Sequence, residues 1–275
     1  METKRQPELT AMTGMAIVMV LLIHAGGSCL GTCFPGMSYL QAGKLLHVFS
    51  LLVSPAVPMF IFLAGYKFAL RDKETSYPAW LKKRLPRVLM SFFIINTLFW
   101  LLDSIVWMDS FDPILLLKTY ISSWMGNTVA YPLFFELGIQ ACEKNWGEKL
   151  ERKYAVPVSV FGCYVVTTFA FPMVFSTGIT AYLCDIMGVV AAYVLSLSMK
   201  HSHILAWFAA YSYPIFLLHE PIIGRCTGAL LRELGIFSVW YIVLWFAVVL
   251  AGTMCVILLL KKTGFNKVLW EFEYK

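Results

Sequence analysis

The chain is predicted to fold as an all-α, polytopic transmembrane helical bundle of about eight spans, with both termini cytoplasmic and no separate soluble domain. Residues 1–275 then form a single membrane-embedded domain. Three observations predict this. Hydrophobic residues make up 59% of the chain and charged residues 14%, against roughly 25% charged in an ordinary soluble domain; mean hydropathy is +0.72. The apolar residues fall in runs of about twenty, the length a helix needs to cross a bilayer, and not in the alternating ten-residue pattern of a β-barrel. Lys and Arg are strongly segregated between the segments that join these runs.

The runs lie at 9–29, 46–70, 88–108, 113–141, 156–175, 180–197, 204–224 and 237–260. The first follows METKRQPE and ends without the small-residue cleavage site of a signal peptide, so it reads as a retained span. The fourth is long and interrupted near Gly126 and Pro132, where a re-entrant or interfacial helix could precede the true span. With the N-terminus inside, about eighteen of the 22 basic residues lie on the cytoplasmic side, and the outer side keeps Lys44, Lys118, Arg225 and Arg232. The net charge of +6 is therefore a topology signal that also suits anionic lipid headgroups, and it does not argue for nucleic acid. Loops near 67–87 and 142–154 have room for an amphipathic turn or two, and no repeat of 20 to 50 residues is seen.

Cysteine and histidine spacing carries little metal chemistry. Cys163, Cys184 and Cys255 fall inside spans and read as small apolar packing residues, while Cys29, Cys33 and Cys226 fall near the outer face. His201 and His203 resemble a solvated turn, because no Cys or carboxylate stands at a matching interval, and no metal site is expected.

His24 is the most informative single residue, lying about fifteen residues into the first apolar run, where an ionisable side chain needs work or a partner. At about 1.5 Å per residue, His24, Asp103 and His219 each lie roughly 22 Å up their helices, with Glu220 one residue beyond and Asp185 slightly lower. A polar chamber in the outer half of the membrane accounts for this shared height. The same residues also fit plainer roles: His24 as a neutral ring hydrogen-bonded to a neighbouring helix, and Asp103 and Asp185 as caps at helix breaks or partners for a histidine. Glu136, in FFELG, serves either the chamber or a neighbouring helix's polar group.

Four segments then occur in a suggestive order: ELTAMTGMAIVMVLLIHAGG, SPAVPMFIFLAGYKF, LKKRLPRVLMSFF and YSYPIFLLHEPII. Together they resemble the first, second, third and a late helix of the acyltransferase-three family of integral-membrane O-acyltransferases. That resemblance implies transfer of an acetyl- or succinyl-type group from acyl-CoA to a hydroxyl of a cell-envelope glycan or glycolipid, in the cytoplasmic membrane. It also implies no bound cofactor, acyl-CoA serving as co-substrate. His24 would be the catalytic residue, preferably as general base, with Glu220 or Asp103 orienting the imidazole. Arg84 and Arg87 would either contact the phosphates of CoA or mark the inner end of their span, Tyr66 would line the substrate cavity or anchor the helix at the interface, and His219 would line the cavity. The sequence departs from the family pattern at Thr13, where members typically carry Arg one helix face below the His, and at Ala64, where Ser is common. Thr13 keeps that face polar without supplying a cation. A transporter or flippase using the same chamber, and a non-catalytic sensor or partner module, are the competing classes.

Overall fold

The computed structural model describes residues 6–28, 39–71, 76, 78–80, 82, 94, 97, 131–151, 156–174, 177–236 and 240–264. Every regular element among them is helical: α1 (Pro7–Ser28), α2 (Tyr39–Val53), α3 (Ala56–Arg71), α4 (Tyr131–Glu143), α5 (Trp146–Glu151), α6 (Val156–Val174), α7 (Thr177–Ser198), α8 (His203–Ala210), α9 (Ser212–Leu218), a π-helical turn (His219–Gly224), α10 (Arg225–Glu233) and α11 (Trp240–Thr263). Four stretches are long and apolar enough to cross a membrane: Pro7–Ser28, Leu46–Leu70, Thr180–Ser198 and Trp240–Thr263. They match the expected first, second, sixth and eighth spans within a few residues. Most of the expected third and fourth spans, and Asp103, Arg84 and Arg87, lie outside the described residues.

α1 is the central helix. It packs on α2, α3, α7, α8, α9, the π turn and α11, which is why its apolar and small residues are distributed all round rather than along one stripe. Its first half, through Leu9, Met12 and Ala16, joins Met59, Phe62, Phe134 and Tyr193 in one core cluster. Its second half, through Ile17, Val20 and Leu21, joins Ile215, Tyr241, Trp245 and Val249 in another. Between helices in lipid the hydrophobic effect gives little, so close van der Waals contact through small residues has to hold the bundle. α3 and α4 cross in that way: a Cβ on Gly65 would overlap the carbonyl of Phe135, and one on Gly138 the carbonyl of Phe62. Gly14 lets α1 come equally close to the Leu205 carbonyl of α8.

The second span bends where Pro55 interrupts it, because a proline nitrogen has no hydrogen to give the carbonyl four residues back. That carbonyl, on Leu51, accepts instead from the Ser54 hydroxyl at 3.1 Å and from the Tyr164 hydroxyl of α6 at 3.2 Å. Tyr164 also donates to Leu52 O at 2.8 Å. Ser54 donates to the carboxylate of Asp185 on α7. Asp185 thus takes the plainer of its two expected roles, pinning a helix break, and it does not line the cavity that holds His24.

The seventh expected span is broken rather than continuous. Tyr211 leaves helical geometry at φ −105°, and α9 restarts with Pro214 in its first turn, where no amide hydrogen is needed. Pro221 falls inside the next segment and cannot donate to Leu217; the chain widens there into the π turn. Trp245 Nε1 of α11 donates to the Gly224 carbonyl at 3.2 Å, and Tyr241 Oη to the Gly228 carbonyl at 3.5 Å, fixing the π turn and α10 against α11. At the other end Ser202 caps α8, accepting from Leu205 N at 3.3 Å, with His201 and His203 exposed beside it. Of the three cysteines expected as packing residues, Cys184 is buried, whereas Cys163 and Cys255 are on the outside of their helices.

Two substitutions test these devices. Gly65→Ala drives the Phe135 backbone away from α3 and should destabilise the detergent-solubilised chain by about 1–3 kcal/mol, the usual range for overpacking. Gly162→Ala meets nothing within 4 Å and should leave the melting temperature unchanged or raise it; equal melting temperatures for the two variants would contradict a tight α3–α4 crossing. Tyr164→Phe withdraws a donor from two carbonyls at the Pro55 bend and should cost about 1–3 kcal/mol, read as a lower melting temperature at unchanged helicity.

Candidate active site

His24 stands one turn from the C-terminal end of α1, where Ser28 Oγ donates to its carbonyl at 2.6 Å. The π turn brings the other half of the site to it. His24 Nδ1 lies 3.3 Å from Glu220 Oε2, a contact of ion-pair distance outside hydrogen-bond geometry, with about a third of each side chain exposed (36% and 38%). A histidine and a glutamate on two different helices thus compensate one another where neither is fully in water. Gly224 leaves the room they need: a Cβ there would stand 2.7 Å from Glu220 Oε2.

His219 packs behind this pair. It is 2% exposed, and its ring meets the His24 ring edge to face at a centroid separation of 4.9 Å. Its Nδ1 lies 2.8 Å from the Ile215 carbonyl and 3.0 Å from the Phe216 carbonyl. Both are pure acceptors, so Nδ1 carries the hydrogen and Nε2 of the neutral ring is a bare acceptor. That Nε2 is buried with no hydrogen-bond partner. Donor atoms of His24, His219 and Glu220 all lie within 4.8 Å of one another, close enough to hold a divalent cation, and two histidines with a glutamate form a known zinc donor set.

The pair opens onto a cavity of about 720 Å³, lined among others by His24, Ser28, Glu220, Arg225, Gly228 and Arg232. A volume of this order suits a small ligand or a sugar unit or two. Arg225 acts electrostatically on Glu220. Arg225 and Arg232 are seven residues apart on α10, about two turns, so they share one helix face. Sequence reasoning counted them only as outer-side charges. The available signal was their spacing, directly after LLHEPIIG, on a side otherwise poor in cations.

Among the described residues, Thr13, Tyr66 and Glu136 lie elsewhere. Thr13 is half-buried three turns below His24, its hydroxyl donating to the Leu9 carbonyl of its own helix at 2.7 Å. Tyr66 is buried at 7% exposure, its ring against Phe62 and Tyr193, in the core cluster of the opposite half of α1. Glu136 is exposed and accepts from Gln140 Nε2 at 2.8 Å within α4. Neither Thr13, Tyr66 nor His219 lines the cavity.

A family model described as an acyltransferase domain matches residues 7–128, somewhat under half of the chain. No curated protein and no solved structure matches. The match contains His24, Thr13, Tyr66, Arg84, Arg87 and Asp103, whereas Glu220, Arg225 and Arg232 come from the half beyond it. Residues 7–128 are thus similar to the acyltransferase domain of the acyltransferase-three family, and this match supports a membrane acyltransferase in general.

Proposed function

We propose that this protein moves an acetyl- or succinyl-type group from acyl-CoA to a hydroxyl of a cell-envelope glycan or glycolipid, with His24 as general base and Glu220 as its orienting partner. The observation that carries this reading is the contact of His24 Nδ1 with the Glu220 carboxylate at the edge of a ligand-sized cavity. A carboxylate facing Nδ1 favours the tautomer with its hydrogen there, which leaves Nε2 free to accept a proton. The acceptor hydroxyl gives its proton to Nε2 as its oxygen attacks the thioester carbonyl. The new C–O bond forms, the C–S bond breaks, and the imidazolium returns the proton to the departing CoA thiolate. Burial of His219 at 2% exposure makes it a wall that positions His24 rather than a second base.

The basic-residue distribution favours an eight-span arrangement in the cytoplasmic membrane with both termini inside, the cavity at the C-terminal end of α1 then facing outward. In that arrangement the donor approaches from the cytoplasm, where Arg84 and Arg87 supply cations for its phosphates. The acceptor approaches from the opposite side. Membrane lipids surround the bundle, and no nucleic acid takes part.

His24→Ala should lower acyl transfer by at least about a hundredfold, the lower bound for loss of a general base, while the purified chain still elutes as a single species. Undiminished transfer by that variant would refute the assignment, and altered solute flux with intact acyl content would point to a transporter. The three donors within 4.8 Å generate a second test. Proton transfer by imidazole needs no metal, so EDTA should leave the rate unchanged. Loss of activity restored by zinc would assign His24, His219 and Glu220 to a metal site instead.

A further inference from the structure

We propose that the cavity recognises an anionic group on the acceptor, a carboxylate or phosphate held by Arg225 and Arg232 while the neighbouring hydroxyl meets His24; this rests on the acyl-transfer reading and names the substrate class it leaves open. The two guanidiniums share one face of α10 and line the same cavity as His24 and Glu220. The small residues Gly228 and Ala229 between them leave that wall low, so an incoming group reaches both. Among the lining residues a single carboxylate, Glu220, which interacts with both His24 and Arg225, stands against two permanent cations. The balance of the site is therefore positive before substrate arrives.

Two further observations support a binding role over chance. About eighteen of the 22 basic residues lie on the side expected to be cytoplasmic, and these two are half of the four that do not. Retaining Arg on the translocated side works against the positive-inside preference, and here both instances converge on one cavity. The other is the face of α1 below His24. It carries Thr13, whose hydroxyl is turned back to the Leu9 carbonyl, so α1 brings no cation to the site. The cations come from α10, beyond Glu220, where they face the acceptor's route rather than the donor's. A planar guanidinium fork matches carboxylate and phosphate oxygens in pairs, which an ammonium does not.

The test uses the full-length protein in detergent or nanodiscs with acetyl-CoA and two acceptors, a glucuronic-acid-terminated oligosaccharide and its glucose-terminated counterpart. Wild type should prefer the acidic acceptor, and Arg225→Gln and Arg232→Gln should each reduce the ratio of kcat/KM values by about tenfold or more. An unchanged ratio in both variants, without arginine-dependent protection by the phosphate described next, overturns the proposal, whether or not total activity falls. Binding is read separately from catalysis by thermal stabilisation with the glucuronic-acid oligosaccharide or with a short-chain polyprenyl phosphate. Either ligand should stabilise wild type and His24→Ala, and neither should stabilise the double arginine variant. Protection by the phosphate alone places the anion on a lipid carrier, and by the oligosaccharide alone on the sugar. No protection by either, or protection that survives loss of both arginines, overturns it. If His24→Ala still transfers acyl groups while Arg-dependent protection persists, the general-base reading fails and anion recognition stands.

Discussion

Pro221 has no amide hydrogen, and the interruption it makes in the helical run from Ser212 to Glu233 is the constraint from which the site follows. In lipid a backbone group without a partner is expensive, so a broken ladder must be repaired locally or by neighbours. Here the chain widens over His219–Gly224, Trp245 takes up the Gly224 carbonyl, and the His219 ring occupies the carbonyls of Ile215 and Phe216. The widened turn presents Glu220 to His24 and launches α10 with its two arginines along the cavity. A regular helix through the same residues would rotate these groups to other azimuths.

A similar repair is made at Pro55, with a different result. There the hydroxyls of Ser54 and Tyr164 satisfy the freed carbonyls, and Asp185 is consumed in holding Ser54. That break is closed and structural. The break at Pro221 leaves Glu220 and His24 a third exposed and the His219 Nε2 unpartnered. Two proline breaks in one bundle thus separate into a scaffold and a chemical site according to whether their polar groups are used up.

Hydropathy made four of the spans legible, at 9–29, 46–70, 180–197 and 237–260, because bilayer thickness alone sets their length and their apolar character. It did not reveal the bend at Pro55 or the division of 204–224 into α8, α9 and the π turn, since those depend on which neighbours complete the backbone. Residue counting placed His24, His219, Glu220 and Asp185 at similar heights. Height is readable along a helix, but the direction a side chain faces is not, which is why His24, His219 and Glu220 come together and Asp185 turns to Ser54. Arg225 and Arg232 were hidden for a related reason. As charges near a span's end they looked like topology, and only the packing of α10 against the π turn and α11 puts them around a cavity.

The most direct measurement is a double-mutant cycle on acyl transfer between His24 and Glu220. Groups that act as one unit lose activity non-additively. His24→Ala combined with Glu220→Gln should be no slower than His24→Ala alone, because an orienting carboxylate has nothing to orient once the imidazole is gone. Losses that multiply, each variant reducing the rate by its own factor, would show that the two residues act independently and would contradict the pairing on which the site is built.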